Sequence, residues 1–181
     1  MSEIEKPFTG KKVYYSGSIK GVPEREPDLP WQLVQFMVAG GADVLSEHVA
    51  ARSIAEMDSI RARRIGMTIQ QLKEQPEPWF GIRAQDIEWV EVATHVVAVV
   101  NAASHGVGME LERAILKPRL GLNYTPILCL VHDSLIDKLS FMVRGVSVEE
   151  CQDYTVRVYS RLEDAKQLVS SFLCIQPVGG D

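Results

Sequence analysis

The stretch from Thr94 to Arg113 constrains the fold of this chain more than any other. It opens with Thr-His-Val-Val-Ala-Val-Val, an apolar, β-branched run without alternation. That pattern belongs to a strand buried on both faces of a parallel sheet. Asn101 to Gly108 interrupts the run with small and turn-forming residues, and from Met109 the residues suit a helix. Met109, Leu111, Ala114 and Ile115 are available for the packed side of that helix. Strand, glycine-containing turn and helix in succession bring side chains to the crevice at the carboxyl ends of the strands of an open α/β sheet. On this reading Glu110 stands in the first helical turn, where a carboxylate is favoured by the helix dipole and also faces any ligand held there.

At 181 residues the chain fits one domain with a proper core. A net charge of −5 argues against a protein that holds duplex nucleic acid by its phosphates. It leaves room for one small phosphorylated ligand, which a few backbone N–H groups can hold. Three cysteines, Cys129, Cys151 and Cys174, are odd in number and too widely spaced for a zinc knuckle, so reduced, structural thiols are expected. No apolar run approaches the length of a membrane span. The first residues, Met-Ser-Glu-Ile-Glu-Lys, are too acidic for a signal or transit peptide. The cytoplasm is the expected compartment, with the nucleus left open.

Along the chain, Lys11 to Ser16 reads as a first strand and Gly17-Ser18-Ile19-Lys20-Gly21 as the loop leaving it. Two glycines around a serine let backbone N–H groups converge on an anion. Glu24 to Pro30 is a Pro-rich connection, and Asp28 is a cap for a helix that Gly40-Gly41 stops. Trp31, Val34, Gln35 and Val38 fall at helical spacing within it. Ala42 to Val49 reads as a second strand. Residues 51 to 82 read as a helical excursion from the sheet, basic and poor in large apolar residues, closed by Pro76 to Gly81. Arg83 to Ala93 is a helix leading into the central strand. Thr125 to Val131 is a fourth strand, Ser134 to Val143 helical, Tyr154 to Tyr159 a fifth strand and Arg161 to Leu173 a closing helix. Residues 177 to 181 read as a loose tail. The alternation predicts an α/β protein, a three-layer Rossmann- or flavodoxin-like fold with about five parallel strands and helices on both faces.

Candidate chemistry starts with Glu110. Glu110 and Glu112 are two apart and point roughly 200° away from each other on a helix, so only one faces the crevice. Asp86, just before Trp89, is either a functional acid or a helix-start aspartate. Tyr14, His48, His95 and His105 admit ordinary packing roles. No histidine pair has metal-ligand spacing, and neither a metalloprotease motif nor Cys-x-x-Cys is present. Gly17-Ser18 places serine directly after glycine, unlike a hydrolase nucleophile elbow. Gly106-Val107-Gly108 lacks the third glycine of a dinucleotide fingerprint. Arg61, Arg63 and Arg64 read most simply as a solvated helix face.

Several segments, taken in order, resemble one family: Val13 to Gly21, Val44 to Val49, Gln85 to Trp89, Ser104 to Leu111, Pro126 to Leu130 and Leu139 to Gly145. Together they are similar to the 2′-deoxynucleoside 5′-phosphate N-hydrolases, relatives of the nucleoside 2-deoxyribosyltransferases. The resemblance implies that Glu110 is the nucleophile on the sugar's anomeric carbon, Asp86 the acid that protonates the departing base, and Tyr14 the group that positions the glutamate. It implies phosphate and substrate contacts from Gly17, Ser18, Ile19, Lys20, Gly21 and Ser104. His48, Gly106 and Met142 fall in the same blocks and join the substrate-binding candidates. Ser140 resembles a serine that reaches the phosphate from a neighbouring subunit, which implies a homodimer. No metal or organic cofactor is implied.

The expected reaction is hydrolysis of a 2′-deoxynucleoside 5′-monophosphate to free base and 2-deoxyribose 5-phosphate, an oxocarbenium-like process served by two carboxyl groups in opposite protonation states. Base exchange by a deoxyribosyltransferase and ribonucleotide N-glycosidase activity are the alternatives on the same scaffold. A non-catalytic nucleotide-binding module is the alternative from another class. Base preference and the choice between deoxyribose and ribose stay open.

Overall fold

A computed structural model describes residues 6–18 and 27–174. The described residues form one all-parallel sheet in the order β2-β1-β3-β4-β5. The strands are β1 (Lys12–Gly17), β2 (Asp43–Val44), β3 (His95–Val99), β4 (Ile127–His132) and β5 (Tyr154–Tyr159). β3 is buried along its whole length, as its unbroken β-branched run requires. Its alternate residues feed two separate cores. Val97 and Val99 join Val13, Tyr15, Leu128 and Leu130 under the helices α1 (Leu29–Ala39) and α7 (Leu162–Cys174). Val96 and Ala98 join Tyr14, Ile127 and Cys129 under α4 (Pro78–Val92) and α5 (His105–Leu116). The result is the expected three-layer arrangement.

From β1 the chain moves outward to β2, then returns across β1 to β3. The sheet therefore reverses direction between β1 and β3, and a crevice opens there at the strands' carboxyl ends. Two short helices, α2 (Ile54–Ile65) and α3 (Ile69–Lys73), come between β2 and α4 in the chain. A last short helix, α6 (Phe141–Arg144), follows β4.

Several elements differ from the sequence expectation. The second strand is two residues long rather than eight. The side chain of Ser46 replaces the ladder there: its Oγ donates to Tyr15 O and accepts from Tyr15 N, at 2.6 and 2.8 Å. The chain then turns into a 3₁₀ segment, Glu47–Ala50. In α1 the buried face is Leu29, Leu33, Val34 and Met37, while Val38 is exposed; Asp28 precedes the helix without a side-chain cap bond. Pro78 does not close the excursion but opens α4, because proline at the first helical position forfeits no hydrogen bond. Ser134 to Val143 is divided into a 3₁₀ segment, Asp133–Lys138, and α6. Residues 24–26 of the Pro-rich connection and the tail at 177–181 lie outside the described residues.

Candidate active site

The site is built at the crevice between β1 and β3. In β1, Tyr14 and Ser16 are two apart and so share one face of the sheet. α5 begins with Ser104 as its N-cap, Oγ accepting from Val107 N at 3.4 Å. The helix thus starts four residues before the expected Met109, and Glu110 lies in its second turn rather than its first. The dipole argument for this carboxylate weakens accordingly, since the effect fades within one turn. Local hydrogen bonds take its place. Ser16 Oγ donates to Glu110 Oε2 at 2.5 Å, and the Tyr14 hydroxyl also bonds the carboxylate. Burial raises the Glu110 carboxyl above its ordinary value, and these two bonds pull it back down. Tyr14 itself is buried and held far above the ordinary phenol range by that burial and by the neighbouring carboxylates.

Asp86 reaches the same cavity from the third turn of α4. Burial and the charge of Glu110 push it up to about 6, against a downward pull from Arg61. The cavity, about 450 Å³, is walled by Gly17, Ser18, His48, Asp86, Ser104, Gly106 and Glu110. A Cβ added at Gly106 would stand 3.8 Å from both Glu110 Oε1 and Ser104 Oγ. The glycine thus keeps free the space between these two side chains. Glu112, on the other side of α5, lines a different groove.

Ten of the thirteen sequence candidates are described, and eight of them gather around this cavity: Glu110, Asp86, Tyr14, Gly17, Ser18, His48, Ser104 and Gly106. Ile19, Lys20 and Gly21 lie outside the described residues. Ser140 and Met142 are not brought to the cavity within this one chain. Ser140 caps α6, accepting from Met142 N at 3.2 Å, and Met142 is exposed beside a separate groove of about 720 Å³ between α4, α5 and α6.

The sequence reading missed two residues. Ser16 was legible from its alternation with Tyr14. Arg61 was misread: it is not part of a solvated face but 4% exposed, with Nη1 donating to His48 Nε2 at 2.9 Å. The signal was its place between Met57 and Ile65 at four-residue spacing, a stripe directed inward. Arg63 and Arg64 do stand at the surface side, paired to Glu47 at 3.1 Å and Asp43 at 2.7 Å, and they tie α2 to the segment that carries His48. Met57, Ile69, Leu72 and Ile82 complete the wall from the excursion. His48 is held down to about 3 by burial and by the charges of Arg61 and Arg64, so its ring is neutral and Nε2 accepts. Among the described residues no group of three or more His, Cys, Asp and Glu side chains is placed to hold a metal ion.

Comparison with known proteins gives the arrangement a family. No family model matches the chain. The 5-hydroxymethyl-dUMP N-hydrolase of Tetraodon nigroviridis is 30% identical over 166 residues, covering 91% of this chain and 99% of that one. The 5-hydroxymethyl-dUMP N-hydrolase of Rattus norvegicus is 33% identical over 135 residues, covering 75% of this chain and 69% of that one. A Nematostella vectensis protein assigned by name to the 2′-deoxynucleoside 5′-phosphate N-hydrolases is 28% identical over 162 residues, covering 90% and 93%. Among solved structures, the CMP N-glycosidase of Clostridium botulinum superposes with a TM-score of 0.56 at 13% identity, over 90% of this chain and 99% of that one, a likeness of fold. With 30% and 33% identity to two such N-hydrolases over 91% and 75% of its length, the chain belongs to the 2′-deoxynucleoside 5′-phosphate N-hydrolase family.

Proposed function

We propose that this protein hydrolyses the N-glycosidic bond of 2′-deoxynucleoside 5′-monophosphates, releasing the free base and 2-deoxyribose 5-phosphate. It is a glycosidase of nucleoside monophosphates, with Glu110 as nucleophile and Asp86 as acid. The observation that carries this reading is the pair of carboxyl groups facing one cavity from two helices, one hydrogen-bonded by Ser16 and Tyr14 and the other pushed up to about 6. The C1′–N bond breaks as Asp86 gives its proton to the departing base and the bonding electrons leave with it. The Glu110 carboxylate captures the positive carbon, and water then releases the sugar, returning a proton to Asp86. Tyr14 and Ser16 hold the carboxylate in its attacking orientation. The missing 2′-hydroxyl makes the oxocarbenium-like state easier to reach. The 5′-phosphate sits at the start of α5, near Ser104, Gly106 and the turn that begins with Gly17 and Ser18.

The working unit is a homodimer in which Ser140 reaches the phosphate across the interface. Exposed Met109 and Met142 in the groove between α4, α5 and α6, with exposed Phe141 next to Met142 in α6, support it. A reducing compartment, the cytoplasm, suits three free cysteines. Among the described residues no helix is long and apolar enough to cross a membrane.

The test is a panel of deoxynucleoside monophosphates scored for free base. Glu110→Ala should lower base release by at least about 10³-fold while the variant still binds the substrate. A variant that cleaves as fast as the parent ends the proposal. Exchanged nucleotide on addition of a second free base would point to transfer instead.

A further inference from the structure

Neither carboxyl of the site takes up the guanidinium of Arg61. Arg61 lines the same cavity and is almost completely buried. Its Nη1 is engaged by His48, but Nε and Nη2, both buried, have no hydrogen-bond partner among the described residues. These two nitrogens form one edge of the guanidinium, and their N–H bonds run nearly parallel. Such a fork holds two adjacent acceptors at once. A buried charged donor left unpaired is strongly unfavourable, so this edge, closed to solvent beside the cavity, gains from a small shift of the side chain that brings it to a ligand's acceptors. Attraction to Asp86 and Asp58 contributes to the arginine's charge balance, yet neither carboxylate bonds the edge.

We propose that the Nε–Nη2 edge of Arg61 reads the leaving base and selects cytosine through its O2 and N3. The inference rests on the hydrolase reading above and adds the base to it. Cytosine offers O2 and an unprotonated N3 side by side. Uracil-type bases turn an N3–H donor toward the fork, and adenine has no adjacent pair of acceptors. Guanine has such a pair in O6 and N7. However, N7 carries a single lone pair and is the atom a general acid must protonate to loosen a purine, so Asp86 and the fork would compete for it. Cytosine O2 carries two lone pairs. One can take Arg61 Nε–H while the other takes the Asp86 proton, and N3 takes Nη2–H. As the C1′–N1 bond breaks, its electron pair spreads from N1 onto O2 and N3, where the guanidinium is already placed. Arg61 is thus a specificity-determining residue that strengthens its hold as the reaction proceeds.

The experiment compares base release from dCMP, 3-deaza-dCMP (N3 replaced by C–H), dUMP, 5-hydroxymethyl-dUMP and dGMP, by the full chain and by Arg61→Lys. Lysine keeps the charge and removes the fork. The expected result is a preference of about 10- to 100-fold in kcat/KM for dCMP over dUMP and over 3-deaza-dCMP, both ratios falling toward one in Arg61→Lys. Thermal melting and inhibition by 2-deoxyribose 5-phosphate check that the variant is folded and still holds the sugar phosphate. Should the variant not fold, the wild-type ratios for dUMP and 3-deaza-dCMP decide by themselves. Base release without a preference for dCMP overturns the inference and leaves the hydrolase reading standing. So does a loss in Arg61→Lys that is equal for all bases, or one that follows weakened sugar-phosphate inhibition. No base released from any monophosphate defeats the hydrolase reading itself, and this inference with it.

Discussion

Two carboxyl groups facing one cavity do not ionise independently, and the hydrogen bonds around them decide which loses its proton first. Glu110 accepts from Ser16 and Tyr14, bonds that favour the carboxylate. Asp86 is opposed by burial and by the charge of Glu110, and is raised to about 6. An acid that must be protonated to act then works below that value. We expect kcat/KM to fall tenfold per pH unit above about pH 6, with a low-pH limb where Glu110 takes up its proton. Asp86→Asn should lose the high-pH limb along with about 10²- to 10⁴-fold of activity. A full profile of base release against pH decides the matter, and a flat rate from pH 5 to 8 would remove Asp86 from the acid's role. The same shift acts on stability. A carboxyl whose folded pKa is raised contributes stability below its unfolded pKa of 3.8 and loses it as pH rises through about 6. Asp86→Asn should therefore gain thermal stability over the wild type at pH 8 and lose that gain near pH 4. At this scale the sequence was largely readable, because chemistry-bearing residues stood in identifiable turns. Ser16 was passed over although strand alternation sets it beside Tyr14. Arg61 was legible only through its spacing with Met57 and Ile65, a weak signal, since burial of a charged helix residue depends on what packs above it.

Elements are harder to read than residues where tertiary contacts override local preference. The two-residue β2 and the early start of α5 both arise from serine side chains, Ser46 and Ser104, bonding backbone groups that a propensity argument assigns elsewhere. Lys117 is a further instance. In the sequence it is a lysine before a proline, with nothing to set it apart from a surface residue. In the fold it is completely buried, its Nζ donating to Ala93 O at 2.8 Å and Thr125 Oγ1 at 2.5 Å. One side chain thus ties the end of α5 to the end of α4 and the approach to β4. Burial lowers its pKa to about 8. Lys117→Ala removes the stem as well as both bonds and should destabilise the protein by about 2–4 kcal/mol. Lys117→Met keeps the stem, leaves Thr125 free to bond Ala93 O, and should be milder at about 1 kcal/mol. Urea denaturation of the three proteins ranks them. If alanine and methionine are equally tolerated, the lysine is not a tie.

At the scale of the whole molecule, the α/β alternation could be read along the chain, but the strand order could not. Nothing local states that β3 lies beside β1 rather than β2; the order follows from how the helices cover both faces, and it opens the crevice between β1 and β3. The surface left uncovered poses the remaining question. Met109, Phe141 and Met142 are large, apolar and exposed, Phe141 and Met142 at 85% and 83%. Met109 and Met142 line the groove between α4, α5 and α6, which Ser104 and Gly108 also border at the start of the helix that carries Glu110. A second copy covering that groove around a twofold axis would bring the partner's α6, and its Ser140, toward the phosphate end of the cavity. Ser140→Ala should then raise KM by about 10- to 100-fold through loss of one hydrogen bond to a charged group, with kcat less affected. Phe141→Asp should yield monomers with the same defect. The sharper experiment mixes Glu110→Ala with Ser140→Ala after dissociation and reassociation. Each mixed dimer carries one site with both residues intact and one with neither, so about a quarter of wild-type activity should return at substrate levels where either parent is nearly silent. A sum no greater than the two parents, or full activity in a protein that stays monomeric on dilution, would show that each chain completes its own phosphate site.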